Sequence, residues 1–309
     1  MSFIKTLSQL FNKNTKNRFV FQTCQKMYIL GGTASKNVAG ELASLLKIPV
    51  AKTISKRFPD NEFYFRILDD IKGKEVIIVQ TTYPDPNLIE LFIIQNAVEE
   101  SKAKKITVVM PYYGYARQDK KFQEGEPISA KAIAGLISLN ADRVITVDPH
   151  KEHILDFFST SAFSCTAVPE IAKYFSRQNI DLVLGPDKGA LDRAKQASEI
   201  INCDFDYMEK TRIDGNTVEM KPKKLQVKNK NVAIVDDIIS TGGTMAIAIK
   251  ELKKQGAGKV YVACTHGLFA ADSIKKLKQA GCNEIISTDT IQSKYSKVKV
   301  APCIAGLIK

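Results

Sequence analysis

The residues with the clearest chemical meaning form the segment NVAIVDDIISTGGTM, residues 231–245. An apolar run predicts a buried strand, two carboxylates follow at Asp236 and Asp237, and a Ser-Thr-Gly-Gly-Thr turn leads into a helix. Backbone N–H groups at a helix start bind phosphate, and Gly242 and Gly243 would let a phosphate come close to the backbone. A capped helix would explain the hydroxyl residues, but two adjacent buried acids are costly without a ligand. Asp236 and Asp237 could accept hydrogen bonds from sugar hydroxyls beside the phosphate. We therefore expect a site for a phosphorylated sugar, made of Asp236, Asp237, Ser240, Thr241, Gly242, Gly243 and Thr244.

A second segment, MPYYGYARQDKK at residues 110–121, suits a nucleotide. It carries Arg117, Gln118 and Asp119 in an aromatic loop. A planar guanidinium can stack on a purine and also hydrogen-bond phosphate oxygens, which a lysine cannot do. A solvated turn with surface charges is the alternative, but such a turn seldom has three tyrosines within four residues.

Three further segments hold polar residues whose role the residue types alone leave open. RFPDNEFYFRI, residues 57–67, is also compatible with an ordinary β-hairpin edge, because its aromatic residues alternate. His150 follows a predicted strand and could be a metal ligand or a structural histidine. YMEKTRID, residues 207–214, could be a catalytic loop or a solvated charged loop.

The elements that position these segments alternate between strand and helix from Met27 onward. Continuous Val/Ile runs separated by helical stretches predict parallel sheets that are covered on both faces. Two such series predict an α/β protein with two doubly wound parallel-sheet domains, at residues 27–166 and 167–309. In such sheets, ligands bind at the carboxyl ends of the strands, where the polar segments lie. The predicted helices are residues 36–46, 88–100, 129–139, 191–200, 244–255 and 271–280.

Composition excludes several classes of function. The chain has 309 residues and a formal charge of +12, but six of the positive residues and no acid lie within the first 40 positions. No block of five Lys or Arg indicates a nucleic-acid arm, and no apolar run reaches the roughly 18 residues that a membrane span needs. The chain has only three histidines and no CxxC spacing, which disfavours a zinc site. The cysteines are scattered, which fits a reducing cytosol; they stand at positions 24, 165, 203, 264, 282 and 303.

The first 26 residues form a separate segment that is free of acids and has apolar residues at helical spacing. A cleaved organelle-targeting peptide has this character. One arginine among four lysines supports targeting only thinly. We therefore expect a disordered extension, or an upstream start codon before a true start near Met27.

Taken together, the segments resemble ribose-phosphate pyrophosphokinases, in the same order and over nearly the whole chain from Met27. The 231–245 segment resembles the loop shared with phosphoribosyltransferases, whereas YARQD is typical of the pyrophosphokinases. RFPDNE, GPDKGAL and YMEKTR are most similar to the archaeal-type branch. The resemblance implies two domains of phosphoribosyltransferase type, and an enzyme that moves the diphosphate of ATP, with Mg²⁺, onto the anomeric hydroxyl of ribose 5-phosphate.

The resemblance also implies roles for individual residues. His150 and Asp187, the latter in GPDKG, would be magnesium ligands. Lys210 and Arg212 would be catalytic residues of a loop that closes over the phosphates. The 57–67 hairpin would reach adenine across a subunit interface, which implies a cytoplasmic homo-oligomer built from dimers. The ATP-binding residues would be Phe58, Asp60, Asn61, Glu62, Arg117, Gln118 and Asp119.

The chain departs from the commoner bacterial pattern at a few positions, among them Ser240, Ala190 and Thr211. Only the sugar contact of Ser240 is put in doubt. Three rival functions are a catalytically silent relative, a phosphoribosyltransferase and a nucleic-acid-binding protein. The joint presence of Lys210 and His150 argues against the first, YARQD against the second, and the third rests on charge alone.

Overall fold

The structure is a computed structural model that describes residues 26–212, 218–220 and 225–308, and for 210–212 and 218–220 it describes the backbone only. Strands and helices alternate through both halves, which confirms the predicted fold class. The first half contains β1 Met27–Gly31, α1 Lys36–Leu46, β2 Thr53–Arg57, β3 Phe63–Ile67, β4 Glu75–Val79, α2 Asp85–Glu100, β5 Lys105–Met110, α3 Ser129–Ser138, β6 Arg143–Val147 and β7 Ser161–Cys165.

The second half contains the sheet that follows the first in the chain, together with a short two-stranded hairpin. Its elements are α4 Val168–Phe175, β8 Leu182–Gly185, α5 Leu191–Ile201, β9 Asp204–Tyr207, β10 Lys210–Arg212, β11 Val218–Met220, β12 Val232–Ile239, α6 Gly243–Lys254, β13 Val260–Gly267, α7 Ser273–Gln279, β14 Glu284–Thr288, β15 Ser296–Val298 and α8 Ala301–Ile308.

Both large sheets are parallel and are wound in two directions. The first has the order β1-β4-β5-β6-β7. The backbone of Ile29 also pairs with residues 49 and 51. The chain therefore crosses to one side of β1 before it returns to the other at β4. The second sheet has the order β15-β14-β13-β12-β8-β9, so its winding reverses between β8 and β12.

Alternating residues of each strand enter different cores, because successive side chains point to opposite faces of a sheet. In the first sheet, Ile78 packs with α2 and α3, whereas Ile77 packs with α1 and α8. In the second sheet, Ile234 packs with α6 and α7, and Val235 with α4 and α5. Helices on both faces explain why these strands are apolar throughout.

The last helix lies on the first sheet, although the residues just before it belong to the second. Ile304 is fully buried in the same core as Ile29 and Leu42, and the Arg143 guanidinium donates to the carbonyl of Leu307 at 2.8 Å. The predicted C-terminal range 167–309 therefore includes one helix that completes the first core. Among the described residues, no helix has the length and hydrophobicity needed to cross a bilayer.

Candidate active site

A cleft of about 380 Å³ opens at the carboxyl ends of β8 and β12, where the winding of the second sheet reverses. Residues from the first half close the opposite wall. The cleft thus brings Asp236 together with His150. Of the predicted site residues, the cleft is lined by Arg117, His150, Asp187, Asp236, Asp237, Ser240, Thr241, Gly242, Gly243 and Thr244.

The turn after β12 and the start of α6 line the cleft. Gly242 has φ of 72°, a left-handed conformation that glycine adopts without strain. A Cβ at this position would lie 3.2 Å from the Cβ of Ser273. The first hydrogen bond within α6 runs from the Ala246 N–H to the Gly242 carbonyl, at 2.9 Å. The N–H groups of 243–245 have no acceptor inside the helix, which is the usual arrangement of an anion site.

The sequence had suggested that the two carboxylates follow the strand. In the structure they lie within β12. The strand continues to Ile239 because β13 pairs with it as far as Gly267. Asp236 and Asp237 therefore point to different faces of the strand. The Asp236 carboxylate is 3.5 Å from the Arg193 guanidinium, and Asp237 lies 2.9 Å from His150.

The carboxylates differ in their tendency to ionise. Burial and the adjacent charge of Asp237 raise the pKa of Asp236 well above its usual value. Burial also opposes ionisation of Asp237, but the hydrogen bond with His150 and the charge of Arg193 outweigh it, so the pKa of Asp237 is lowered. The pair thus carries its first negative charge on Asp237 and resists a second on Asp236.

The loop that carries His150 is held by contacts between the two halves. Asp148, two positions earlier, has φ of 37°. Its Oδ2 atom accepts from the hydroxyl of Thr265 at 2.6 Å and from the Ala167 N–H at 2.9 Å. Because Thr265 belongs to β13, the second sheet helps to set the position of the His150 loop.

A second contact with the same loop comes from His266, which is 1% exposed. Its Nε2 atom lies 3.1 Å from the carbonyl oxygens of Val147 and Asp148. Carbonyls only accept, so Nε2 carries the hydrogen. Burial lowers the pKa of His266 and keeps the ring neutral. Nδ1 then accepts from the Thr290 hydroxyl, at 2.9 Å.

Asp187 lies at the end of β8 and lines the cleft with His150. Its Oδ1 atom accepts from the Gly189 N–H at 2.9 Å. Within the described parts of the chain, no three His, Cys, Asp or Glu residues are grouped so as to hold a metal ion. An imidazole and a carboxylate on one cleft fit an ion such as Mg²⁺, which keeps several waters and binds substrate phosphates.

The YARQD loop divides between the cleft and its own support. Arg117 lines the cleft. The Gln118 side chain accepts from the Ser129 hydroxyl at 2.6 Å, and Asp119 lies 3.2 Å from His153. Gln118 and Asp119 are not among the lining residues, and in this structure their side chains contact the neighbouring α3 and 152–157 segments.

The β2–β3 hairpin tip does not reach the cleft of its own chain. Phe58 is 39% exposed and stands edge-on to Tyr64, with the Lys56 ammonium 5.3 Å from its ring. Asn61 has φ of 69°, and the Glu62 N–H donates to Asp60 at 3.1 Å. The structure therefore groups Phe58, Asp60, Asn61 and Glu62 with one another, on an exposed surface.

Lys210 and Arg212 lie on β10, which pairs with β11 in an antiparallel hairpin. Their side chains are outside the described residues. The predicted N-terminal extension also lies outside them, except for Lys26.

Comparison with known proteins gives two family matches. The N-terminal domain of ribose phosphate pyrophosphokinase matches residues 27–140, and the phosphoribosyl transferase domain matches residues 166–301. The chain belongs to the ribose-phosphate pyrophosphokinase family. The ribose-phosphate pyrophosphokinase of the archaeon Pyrococcus furiosus is 42% identical, over 90% of this chain and 99% of its own length. That of Methanothermobacter thermautotrophicus is 38% identical, over 91% of this chain and 99% of its own length.

The fold agrees with this family. The crystal structure of phosphoribosylpyrophosphate synthetase from Mycobacterium smegmatis superposes with a TM-score of 0.79 at 28% identity. It covers 92% of this chain and 97% of its own.

Sequence reasoning missed Arg193, Asp148 and His266 as parts of the site. Arg193 sits in α5, where RAK resembles any charged helix face. Asp148 and His266 stand next to recognisable strands, in VDPH and CTHG. Neither segment could reveal that the two residues meet from opposite halves of the chain. The polar residue at each strand end was the one available signal.

Proposed function

We propose that the protein transfers the β,γ-diphosphate of ATP to the anomeric hydroxyl of ribose 5-phosphate, which yields phosphoribosyl pyrophosphate and AMP. Membership of the ribose-phosphate pyrophosphokinase family supports this reaction. The observation that carries it is the cleft lined both by the turn that leads into α6, whose backbone could bind phosphate, and by His150 and Arg117 from the other half.

Ribose 5-phosphate would bind on the second sheet. Its phosphate would accept from backbone N–H groups at the start of α6 and from the hydroxyls of Ser240, Thr241 and Thr244. Asp236 and Asp237 would accept hydrogen bonds from the ribose hydroxyls. Arg193, 3.5 Å from Asp236, would hold that carboxylate in place.

ATP would bind against the wall formed by the first half. Arg117 would contact the purine and the phosphates. Gln118 and Asp119 support the loop in the present structure and would contact ATP after a side-chain rearrangement. Phe58, Asp60, Asn61 and Glu62 would reach the adenine of a neighbouring subunit, because they are exposed and remote from their own cleft.

His150 and Asp187 would hold Mg²⁺, whose charge would neutralise the β- and γ-phosphate oxygens. His150 is well placed for this role because its Nδ1 atom contacts Asp237 at 2.9 Å. A hydrogen bond at one ring nitrogen orients the imidazole and leaves the other nitrogen for a ligand.

The reaction itself would be an in-line displacement. The anomeric oxygen forms a bond to the β-phosphorus as the bond to the AMP oxygen breaks, and the hydroxyl proton passes to solvent. Lys210 and Arg212 would stabilise the charge that develops on the phosphate oxygens. Positioning and electrostatics supply most of the acceleration in such transfers, so a dedicated base is not required.

We further propose a cytoplasmic homo-oligomer built from dimers, with neither nucleic acid nor membrane as a partner. The exposed hairpin tip supports an active site that is shared between subunits. Gel filtration that gives only monomer, at concentrations where the enzyme is active, would contradict this arrangement.

The deciding experiment incubates the protein with ATP, ribose 5-phosphate and Mg²⁺, and measures nucleotides and sugar phosphates by ion-exchange chromatography. AMP and phosphoribosyl pyrophosphate should form in equal amounts, and neither should form when ribose 5-phosphate is omitted. ADP as the product would indicate transfer of a single phosphoryl group and would reject the proposal.

A further inference from the structure

Two cysteine thiols that are 138 residues apart in the chain meet on the first domain. Cys165 is the last residue of β7, and Cys303 lies in the first turn of α8. Their Sγ atoms are 3.2 Å apart, and both side chains are half-buried. This pair was not apparent from the sequence, where the cysteines are scattered.

The two sulfur atoms are close enough for a disulfide to form after a small movement. A disulfide bond is about 2.05 Å long, so the sulfur atoms must approach by about 1.2 Å from their present separation of 3.2 Å. The Cys303 thiol contacts the carbonyl of Val300 at 3.1 Å, and Cys165 lies 3.9 Å from the carbonyl of Thr146. Neither contact is strong, because thiols are weak donors.

We propose that Cys165 and Cys303 form a reversible disulfide that fixes the C-terminal helix α8 to β7. The oxidant would be a small-molecule disulfide of the glutathione type. One cysteine thiolate attacks it and forms a mixed disulfide, which releases one glutathione thiol. The second cysteine then attacks the protein sulfur and releases the second. The protein loses two electrons and two protons, and the oxidant is reduced to two thiols.

The disulfide should form slowly, but once formed it should stabilise the folded protein. The hydrogen bond with Cys165 and burial raise the pKa of Cys303, so the nucleophilic thiolate is scarce near neutral pH. The bond would close a loop over most of the second half of the chain, and long loops gain most from such a constraint.

The disulfide would also anchor the segment beneath the cleft. The carbonyl of Cys165 accepts the Asp148 N–H at 2.9 Å. The Asp148 carboxylate accepts from the N–H of Ala167, which is two residues after Cys165. Asp148 is itself two residues before His150. The disulfide would therefore fix both helix α8 and strand β7, which supports the His150 loop.

The test uses the full-length protein, kept native and exposed to glutathione disulfide for several hours, then alkylated, digested and mapped by mass spectrometry. We expect a linked peptide that contains Cys165 and Cys303 and that disappears after reduction with dithiothreitol. Hydrogen–deuterium exchange of residues 301–308 should be several-fold slower in the oxidised protein and return to the starting rate on reduction.

Two variants distinguish a specific disulfide between Cys165 and Cys303 from general thiol oxidation. Cys303→Ser should lose both the linked peptide and the slower exchange, whereas Cys203→Ser, at another half-buried thiol, should retain both. Recovery of Cys165 and Cys303 as alkylated thiols, or linkage only between molecules, would overturn the proposal. If Cys303→Ser does not fold, the exchange rates of the wild-type protein still decide. None of these results depends on the diphosphate-transfer assay.

Discussion

The contact between Thr265 and Asp148 allows a quantitative test of how the two halves position the site. Thr265 is fully buried, and its hydroxyl donates to the Asp148 carboxylate at 2.6 Å. Thr265→Val keeps the shape of the side chain but removes the donor. The Asp148 carboxylate then keeps the hydrogen bond from the Ala167 N–H, at 2.9 Å.

The expected loss follows from the charge and burial of the acceptor. A hydrogen bond to a charged group contributes about 1.5–3 kcal/mol, and a buried acceptor that loses its donor pays a desolvation cost of similar size. For a domain of this size, 1 kcal/mol lowers Tm by about 2–4 °C. Thr265→Val should therefore lower Tm by about 3–12 °C.

The matched control is Thr265→Ser, which keeps the hydroxyl and removes one methyl group, at a cost of about 1 kcal/mol. Differential scanning fluorimetry of the three proteins at neutral pH gives the comparison. Thr265→Val should also raise the magnesium concentration for half-maximal activity, because Asp148 lies two residues from His150, and Thr265→Ser should leave it unchanged. If Thr265→Ser is as destabilising as Thr265→Val, the methyl group and not the hydrogen bond holds the loop.

Four other changes test separate parts of the site. Asp236→Asn should raise Tm at pH 7, because the raised pKa of Asp236 means that its ionisation opposes folding, and this gain should shrink as pH falls towards 4. The same variant should raise the KM for ribose 5-phosphate. A gain that persists at pH 4 would reject this cause. His150→Ala should lower kcat and raise the magnesium requirement, whereas His153→Ala should leave magnesium dependence unchanged; an identical dependence in both variants would reject His150 as a ligand. Gly242→Ala should cost about 1–2 kcal/mol, because φ is 72° and the added Cβ meets Ser273, and should raise the KM for ribose 5-phosphate at least about tenfold; an unchanged KM would mean that the phosphate binds elsewhere. Lys210→Ala should lower kcat by more than about threefold with little change in KM, as expected for a charge used in the transition state; turnover closer to wild type would remove Lys210 from the catalytic loop.

Much of the fold could be predicted because its signals are local. Apolar runs such as 232–235 and the helices between them follow from residue type and periodicity. The predicted helices 36–46 and 129–139 agree with α1 and α3 to within one residue. Other bounds were less accurate: α2 begins at Asp85, three residues before the predicted start, because Pro86 is favourable in a first helical turn.

The turn that leads into α6 could also be predicted, since Gly242 and the start of α6 belong to one continuous segment. Its local sequence contains both the glycine that needs a positive φ and the hydroxyl residues around it. The same reasoning could not place β12 correctly. The strand passes Asp236 because β13 offers backbone partners as far as Gly267, and β13 begins more than 20 residues later.

What the sequence by itself determined is thus the type of each element and the chemistry of each short segment. Only the tertiary structure decided which segments meet: His150 with Asp237, Arg193 with Asp236, Thr265 with Asp148, and Cys165 with Cys303. These partners are 43 to 138 residues apart. Their contacts depend on strand order and on how two sheets and α8 pack together, and many distant contacts acting at once fix that arrangement.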